Sequence, residues 1–409
     1  MDQTRNVFPF DDLPPPVWRG QGADGETKCR RVQGEPVLLV REAGEREASG
    51  RLLFSPERIL RVRNSGGTVV YPQERMRGTR QGTGGRAGGG RFWMELPAPA
   101  LGRDELFPPI AGARTIERHR DGRRLIHFSE GHYFHSLQVC VDYETEEKWS
   151  GPLPVGRQED LPGMAERLAG GRGLRLAVLG DSISTGANAS GRCGVAPFQP
   201  WYVELVAEGL RRGGTREGTR GDGRWKEVVV RNFSAGGKTA AWGADRAQME
   251  AVTGFFPDLV VLAFGMNDAS AGVSADGFGA SVGGMIRHVR SMLPDTEFVL
   301  VSGMNAHDAW HLARADLHEA YGRVLAELAL PGSGIVLCDV RPVWDYVAGR
   351  KGFWSMTGNG VNHPNDFGHR LYADCLLAVL GCERQGKGGG QPGLAQDSRS
   401  MMVEGTVMI

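Results

Sequence analysis

Long apolar runs are missing from this sequence, and no stretch approaches the roughly 18 residues needed to cross a bilayer. The opening Met1-Asp2-Gln3-Thr4-Arg5-Asn6 lacks the basic-then-apolar pattern of a secretory signal. These two absences make the cytoplasm the default location, with export by another route left open. Net charge is missing too. Lys plus Arg number 48 and Asp plus Glu number 48 among 409 residues, so no general attraction to nucleic acid, anionic membranes or acidic polymers is expected. Cysteine is scarce: Cys29, Cys140, Cys193, Cys338, Cys375 and Cys382 are scattered, without a Cys-x-x-Cys or a metal-type His/Cys spacing. Reduced thiols without chemistry are expected. Cys140 and Cys338 in particular lie in strand-like apolar runs, where a cysteine is a small buried hydrophobe.

What is present is a 40% apolar chain able to bury a core, and 61 glycines, about twice ordinary usage, without a Gly-X-Y period. The first 150 residues hold short apolar runs separated by Gly, Asn and Asp: Pro36–Val40, Leu52–Phe54 and Leu125–Phe128. Tyr133–Val141 alternates as a half-buried strand does. Residues 1–150 are therefore expected to form a small antiparallel β-sandwich. Gly82–Gly90 lacks the Gly-Lys-Ser/Thr ending of a phosphate loop and reads as a flexible insertion.

Pro152, Pro154 and Pro162 mark a linker at 151–172, with a short helix around Met164–Leu168. Over 173–383, apolar runs without polar alternation (Leu174–Leu179, Glu227–Val230, Leu259–Phe264, Glu297–Val301, Ile335–Val340) alternate with helical candidates. The candidates are Trp201–Leu210, Asp245–Thr253, Phe278–Met292, Ala313–Leu330 and Phe367–Leu380, the last capped by Asn365 or Asp366. Strands covered on both faces and separated by helices make an α/β layer with a parallel sheet. Arg211–Arg224 reads as a solvated insertion, and 384–409 as a flexible tail.

Ligands of open α/β sheets bind beyond the carboxyl ends of the strands. The first strand ends in Gly180-Asp181-Ser182-Ile183-Ser184, where a serine on a turn is a nucleophile if a base takes its proton, or a helix cap if not. The second ends in Asn232-Phe233-Ser234-Ala235-Gly236-Gly237, where a glycine lets its N–H approach an oxyanion. The third ends in Gly265-Met266-Asn267-Asp268, whose asparagine amide is a second donor. After the last strand, Pro364 holds His363 on a loop.

Ser, Gly, Asn and His in this order resemble the four blocks of the SGNH (GDSL-type) hydrolase superfamily, over about Leu174–Leu380. The resemblance implies a three-layer, flavodoxin-like α/β domain. It implies Ser182 as nucleophile, His363 as general base, and an oxyanion hole from Ser182, Gly237 and Asn267, with no metal or organic cofactor. That family usually has an acid three residues before its histidine, but here Gly360 stands there. Candidates for the third member are Asp366, folding back from the helix, and Asn359; Asn362 or a backbone carbonyl would also serve in a Ser–His dyad. The literal Asp366–His369 string is the other reading. Under the dyad reading, Gly360→Asp would keep or raise activity. An amino-terminal β unit ahead of such a domain is similar in layout to carbohydrate esterases that remove acetyl groups, and Trp201, Trp242, Trp310 and Trp354 lie where they could rim the cleft. The substrate expected is a small ester or acetylated saccharide, with neither nucleic acid nor membrane insertion; the oligomeric state stays open. Two alternatives stand: a non-catalytic carbohydrate-binding protein with a degenerate cleft, or a lipid or thioester hydrolase. His307-Asp308 reads as a loop pair without chemistry, and His318 as a surface helix residue.

Overall fold

A computed structural model of the chain describes residues 10, 13–18, 30–79, 89–116, 118–154, 156, 158–212 and 227–382. Gly82–Gly88 of the glycine-rich insertion, Cys29, most of Arg211–Arg224 and the 384–409 segment lie outside the described residues.

The amino-terminal strands are β1 (Arg30–Leu38), β2 (Val40–Arg41), β3 (Glu47–Arg51), β4 (Arg58–Asn64), β5 (Val70–Tyr71), β6 (Met76–Thr79), β7 (Arg91–Glu95), β8 (Leu101–Gly102), β9 (Thr115–Ile116), β10 (Ile126–His127) and β11 (Gln138–Thr145). One sheet runs β1-β11-β4-β5 and a second β6-β7-β3-β2-β8. Pairing is antiparallel except between β2 and β8. β7 shows the expected alternation, with Phe92 and Met94 buried between exposed Arg91 and Glu95. These two side chains meet Val37, Val62, Val139, Val141 and Tyr143 of the other sheet in one buried cluster.

Two expectations fail here for identifiable reasons. Tyr133–Leu137 is a helical turn, and only Gln138–Thr145 is strand. A short alternating run suits one amphipathic turn as well as a strand, and here Phe134 is anchored by stacking on Trp354. Leu52–Phe54 is buried but outside any strand. Its backbone donors find other acceptors: Leu53 N–H donates to Glu35 Oε1 at 2.8 Å and Phe54 N–H to Tyr143 Oη at 3.2 Å. An irregular segment can be buried once those bonds are made.

The second layer is a parallel sheet of β12 (Leu174–Gly180), β13 (Val228–Asn232), β14 (Leu259–Ala263), β15 (Glu297–Ser302) and β16 (Ile335–Asp339), ordered β13-β12-β14-β15-β16. Successive residues serve opposite faces. Leu176, Val178, Leu259, Val261, Val299 and Val301 pack with Tyr202, Leu205, Leu371 and Tyr372 of the helices Tyr202–Arg212 and Asp366–Val379. Ala177, Leu179, Val260, Leu262, Phe298 and Leu300 pack instead with Met249, Phe278, Val282 and Tyr321 of Arg246–Thr253, Ala275–Met292 and Ala315–Leu328. Unbroken apolar runs follow from this two-sided burial. The sequence pattern did not indicate a helix at Val340–Lys351, directly after the last strand. The first of these faces shares its buried cluster with the sandwich core. Cys338, Cys375 and Cys382 are buried free thiols and Cys140 and Cys193 half-buried ones. Among the described residues no helix is long and apolar enough to cross a membrane.

Candidate active site

The site sits where the strand order places a crevice, at the carboxyl ends of β12, β13 and β14. Gly180, the last residue of β12, has no room for a side chain, since a Cβ there would lie 2.4 Å from Ser184 Oγ and 2.5 Å from the Ala263 carbonyl oxygen. The chain then coils at once: Thr185 N–H donates to Asp181 O and Ala187 N–H to Ser182 O. Asp181 is buried, its Oδ1 accepting from Ile183 N–H at 2.9 Å, and burial pushes its pKa up to about 7. Ser182 is left half-exposed on the outside of this turn.

Asn232, the last residue of β13, donates from Nδ2 to Ser184 O at 2.7 Å and ties that strand's end to the serine turn. The following turn lies against the serine, a Cβ on Gly236 falling 3.8 Å from Ser182 Cβ. Gly237 has φ +73°, the left-handed region that glycine enters freely, and is exposed. Asn267 lies in the short helix Met266–Ser270 and donates from Nδ2 to Lys238 O at 3.0 Å, one residue beyond Gly237. The structure thus brings Ser182, the Gly236–Gly237 turn and Asn267 to one rim.

His363 completes it. Its Nε2 lies 2.9 Å from Ser182 Oγ. Asn359 shapes the loop, its Oδ1 accepting from the N–H groups of Val361, Asn362 and His363 at 3.0, 3.0 and 3.1 Å. Neither proposed third member reaches the ring. Asn359 spends its Oδ1 on that loop and its Nδ2 on Asn362 and Glu130, and Asp366 Oδ1 accepts from Ser190 N–H at 2.8 Å. Instead Nδ1 faces Asn188 Oδ1 at 2.7 Å and Glu130 Oε2 at 3.4 Å. Since Asn188 Nδ2 donates to Gly131 O at 2.8 Å, its Oδ1 is the atom turned to the ring. Nδ1 therefore carries the proton, and Nε2 presents a lone pair to the serine.

Sequence reasoning missed both partners. Asn188 has φ +62°, a conformation asparagine tolerates, and only its place six residues after Ser182 hinted at it. Glu130 precedes Asn359 by 229 positions and carried no signal at all. His369 is fully buried on the helix, its Nε2 facing Ala187 O at 3.1 Å, and burial pushes its pKa down to about 4. The literal Asp366–His369 string is thus away from Ser182 Oγ, and Asn365 is the helix cap, accepting from Gly368 N–H.

His318 is not on the surface. It is buried beside a small pocket with Asp181, Ile183 and Tyr372, and burial pushes its pKa down to about 4. His307 is enclosed by Phe107, Phe353 and Trp354, with Asp308 Oδ1 3.2 Å from Nδ1. The four tryptophans are engaged in packing: Trp201 covers Gly186, Trp242 meets Phe264 edge-on, Trp310 is buried, and Trp354 stacks on Phe134. Among the described residues, no group of three or more His, Cys, Asp or Glu converges as a metal site.

Residues 178–371 match the GDSL-like lipase/acylhydrolase family. No curated protein matches the chain. A two-domain esterase active on acetylated mannans is 26% identical over 55% of this chain and 53% of its own, with a TM-score of 0.41. The chain thus spans about half the length of that protein. TesA is 24% identical over 50% of this chain and 97% of its own, with a TM-score of 0.37. A carbohydrate esterase family 3 protein from Talaromyces cellulolyticus is 18% identical over 50% and 94%, with a TM-score of 0.36. The matched stretch lies within the α/β layer and holds Ser182, Gly237, Asn267 and His363 in the order of the four blocks, and over these residues the chain is similar to the GDSL-like lipase/acylhydrolase family.

Proposed function

We propose that this hydrolase cleaves short acyl esters, acetyl esters of a carbohydrate foremost, through a Ser182 acyl-enzyme. The observation that carries the reading is the 2.9 Å contact of Ser182 Oγ with His363 Nε2, on a ring whose Nδ1 is already held. Ser182 Oγ attacks the ester carbonyl carbon while Nε2 takes the hydroxyl proton. The tetrahedral oxyanion is received by the N–H groups of Ser182 and Gly237 and the second amide N–H of Asn267. Loss of one such donor costs about 2.7–4 kcal/mol in a serine protease with an oxyanion hole. The bond to the alcohol oxygen breaks, and Nε2 returns the proton to that oxygen. Water then attacks the acyl carbon, giving its proton to Nε2, and the free acid leaves as the proton returns to Ser182.

A hydrophilic alcohol is favoured by what surrounds the serine. Gly236, Gly237 and Lys238 are exposed, Asn267 and Asn362 half-exposed, and Glu130 reaches solvent. A sugar hydroxyl finds partners there that a long acyl chain would not. The amino-terminal sandwich within residues 1–150 belongs to this reading as the wall across the His363 loop. Ser182→Ala is expected to abolish p-nitrophenyl acetate turnover with an unchanged circular dichroism spectrum; retained turnover overturns the assignment. Release of acetate from an acetylated oligosaccharide, compared with a long-chain ester, tests the substrate class.

A further inference from the structure

The place where the family keeps its acid is physically closed in this chain. Gly360 has φ +93°, and a Cβ on it would lie 2.3 Å from the His127 carbonyl oxygen and 2.9 Å from the Phe134 ring. Both obstacles belong to the amino-terminal unit. The same unit delivers a carboxylate to the other side of the ring. Ser129 N–H donates to Asn359 O at 3.2 Å, which seats the Ser129–Gly131 loop on the histidine loop. Asn359 Nδ2 then donates to Glu130 Oε1 at 3.1 Å, and Asn188 Nδ2 to Gly131 O at 2.8 Å. So held, Glu130 Oε2 stands 3.4 Å from His363 Nδ1.

We infer that the amino-terminal β unit supplies the missing acid of this site: Asn188 fixes the tautomer of His363, and Glu130 stabilises the charged ring that forms as Ser182 attacks. The two tasks one aspartate performs elsewhere are divided between two side chains. Both are positioning residues, acting on Ser182 through His363, and the inference rests on the Ser182–His363 reading above. Burial works against the charge of Glu130, but hydrogen bonds with His363, Asn359 and Asn188 outweigh it and hold its carboxyl below the usual range. Its side chain is 55% exposed, so solvent screens part of the interaction and the effect stays below that of an enclosed triad acid. The other titratable groups facing the ring are Asp181 beneath the serine turn and His369 on the following helix.

The test compares the full chain with Glu130→Gln, a side chain of the same shape at a half-exposed position. The readout is kcat/KM for p-nitrophenyl acetate from about pH 5 to pH 9, with Ser182→Ala alongside. The plateau is expected to fall by about 10- to 100-fold, the range of one charge-assisted contact. The acid limb is expected to move to lower pH, because a ring that loses its carboxylate loses its proton more readily. Adding Asn188→Asp to Glu130→Gln puts a carboxylate back at Nδ1 and is expected to recover part of the loss. A merely structural Glu130 would lower the plateau without moving the limb, and that result overturns the inference. So does a variant indistinguishable from the parent while Ser182→Ala is inactive, which leaves the Ser182–His363 reading standing. Turnover surviving in Ser182→Ala overturns both.

Discussion

Gly360 shows how one residue redirects a site. Its position suggests an aspartate by analogy with the family pattern, yet its positive φ and the 2.3 Å approach to the His127 carbonyl oppose any side chain. Gly360→Asp is therefore expected to lower both activity and stability, the reverse of what spacing alone suggests. Backbone strain contributes about 1–3 kcal/mol, and displacement of Phe134 adds to it. Thermal denaturation and ester turnover check this; an unchanged midpoint with raised turnover would show that the loop accommodates the acid. The buried histidines illustrate the same point differently. His318 and His369, with pKa values pushed down to about 4 by burial, are neutral at pH 7, so neither competes with His363 as a charged group.

Among the elements, the helix Asp366–Val379 matters most to the site, because its cap follows His363 by two residues. Asn365 Oδ1 accepts from Gly368 N–H at 3.0 Å, while its Nδ2 donates to Gln138 Oε1 and Ser355 O, both at 2.9 Å. One side chain thus starts the helix and ties it to β11 of the sandwich. Asn365→Ala removes the cap and leaves two buried acceptors short of a donor, an expected loss of about 2–4 kcal/mol. Chemical denaturation measures it, and a loss under about 0.5 kcal/mol would contradict the accounting. Turnover should fall with it, since the histidine loop is anchored at that end.

The molecule as a whole is joined across its two layers by buried contacts. Lys351 Nζ, at the end of the helix Val340–Lys351, donates to Pro36 O at 2.6 Å and stands 3.5 Å from Glu35 Oε1. Glu35 also accepts from Tyr143 Oη at 2.7 Å, and Arg350 Nε donates to Leu53 O at 2.7 Å. One apolar cluster runs from Phe92 and Val141 of the sandwich to Leu371 and Tyr372 of the α/β layer. Such a shared core predicts a single cooperative transition in calorimetry, with the calorimetric and van't Hoff enthalpies in agreement. Two resolved transitions would show that the layers unfold separately.

The amino-acid sequence by itself determined the parallel sheet and the rim residues that follow its strands. Two-sided burial writes each strand as an unbroken apolar run, and Ser182, Gly237 and Asn267 follow their strands within a few positions, so local pattern was enough. His363 was legible for the same reason, as a loop residue halted by Pro364 before a helix. Tertiary structure alone decided what holds that histidine. Glu130 reaches Nδ1 because the sandwich docks over the histidine loop, and Asn188, on the serine turn, has its Nδ2 taken by Gly131 O of that sandwich and so turns Oδ1 to the ring; docking depends on surfaces assembled from residues far apart in the chain. It also made Leu52–Phe54 a buried loop and buried His318, because the partners satisfying them come from other elements. A side chain's neighbours along the chain are encoded in order, while its neighbours across a packed interface are encoded only in the fold.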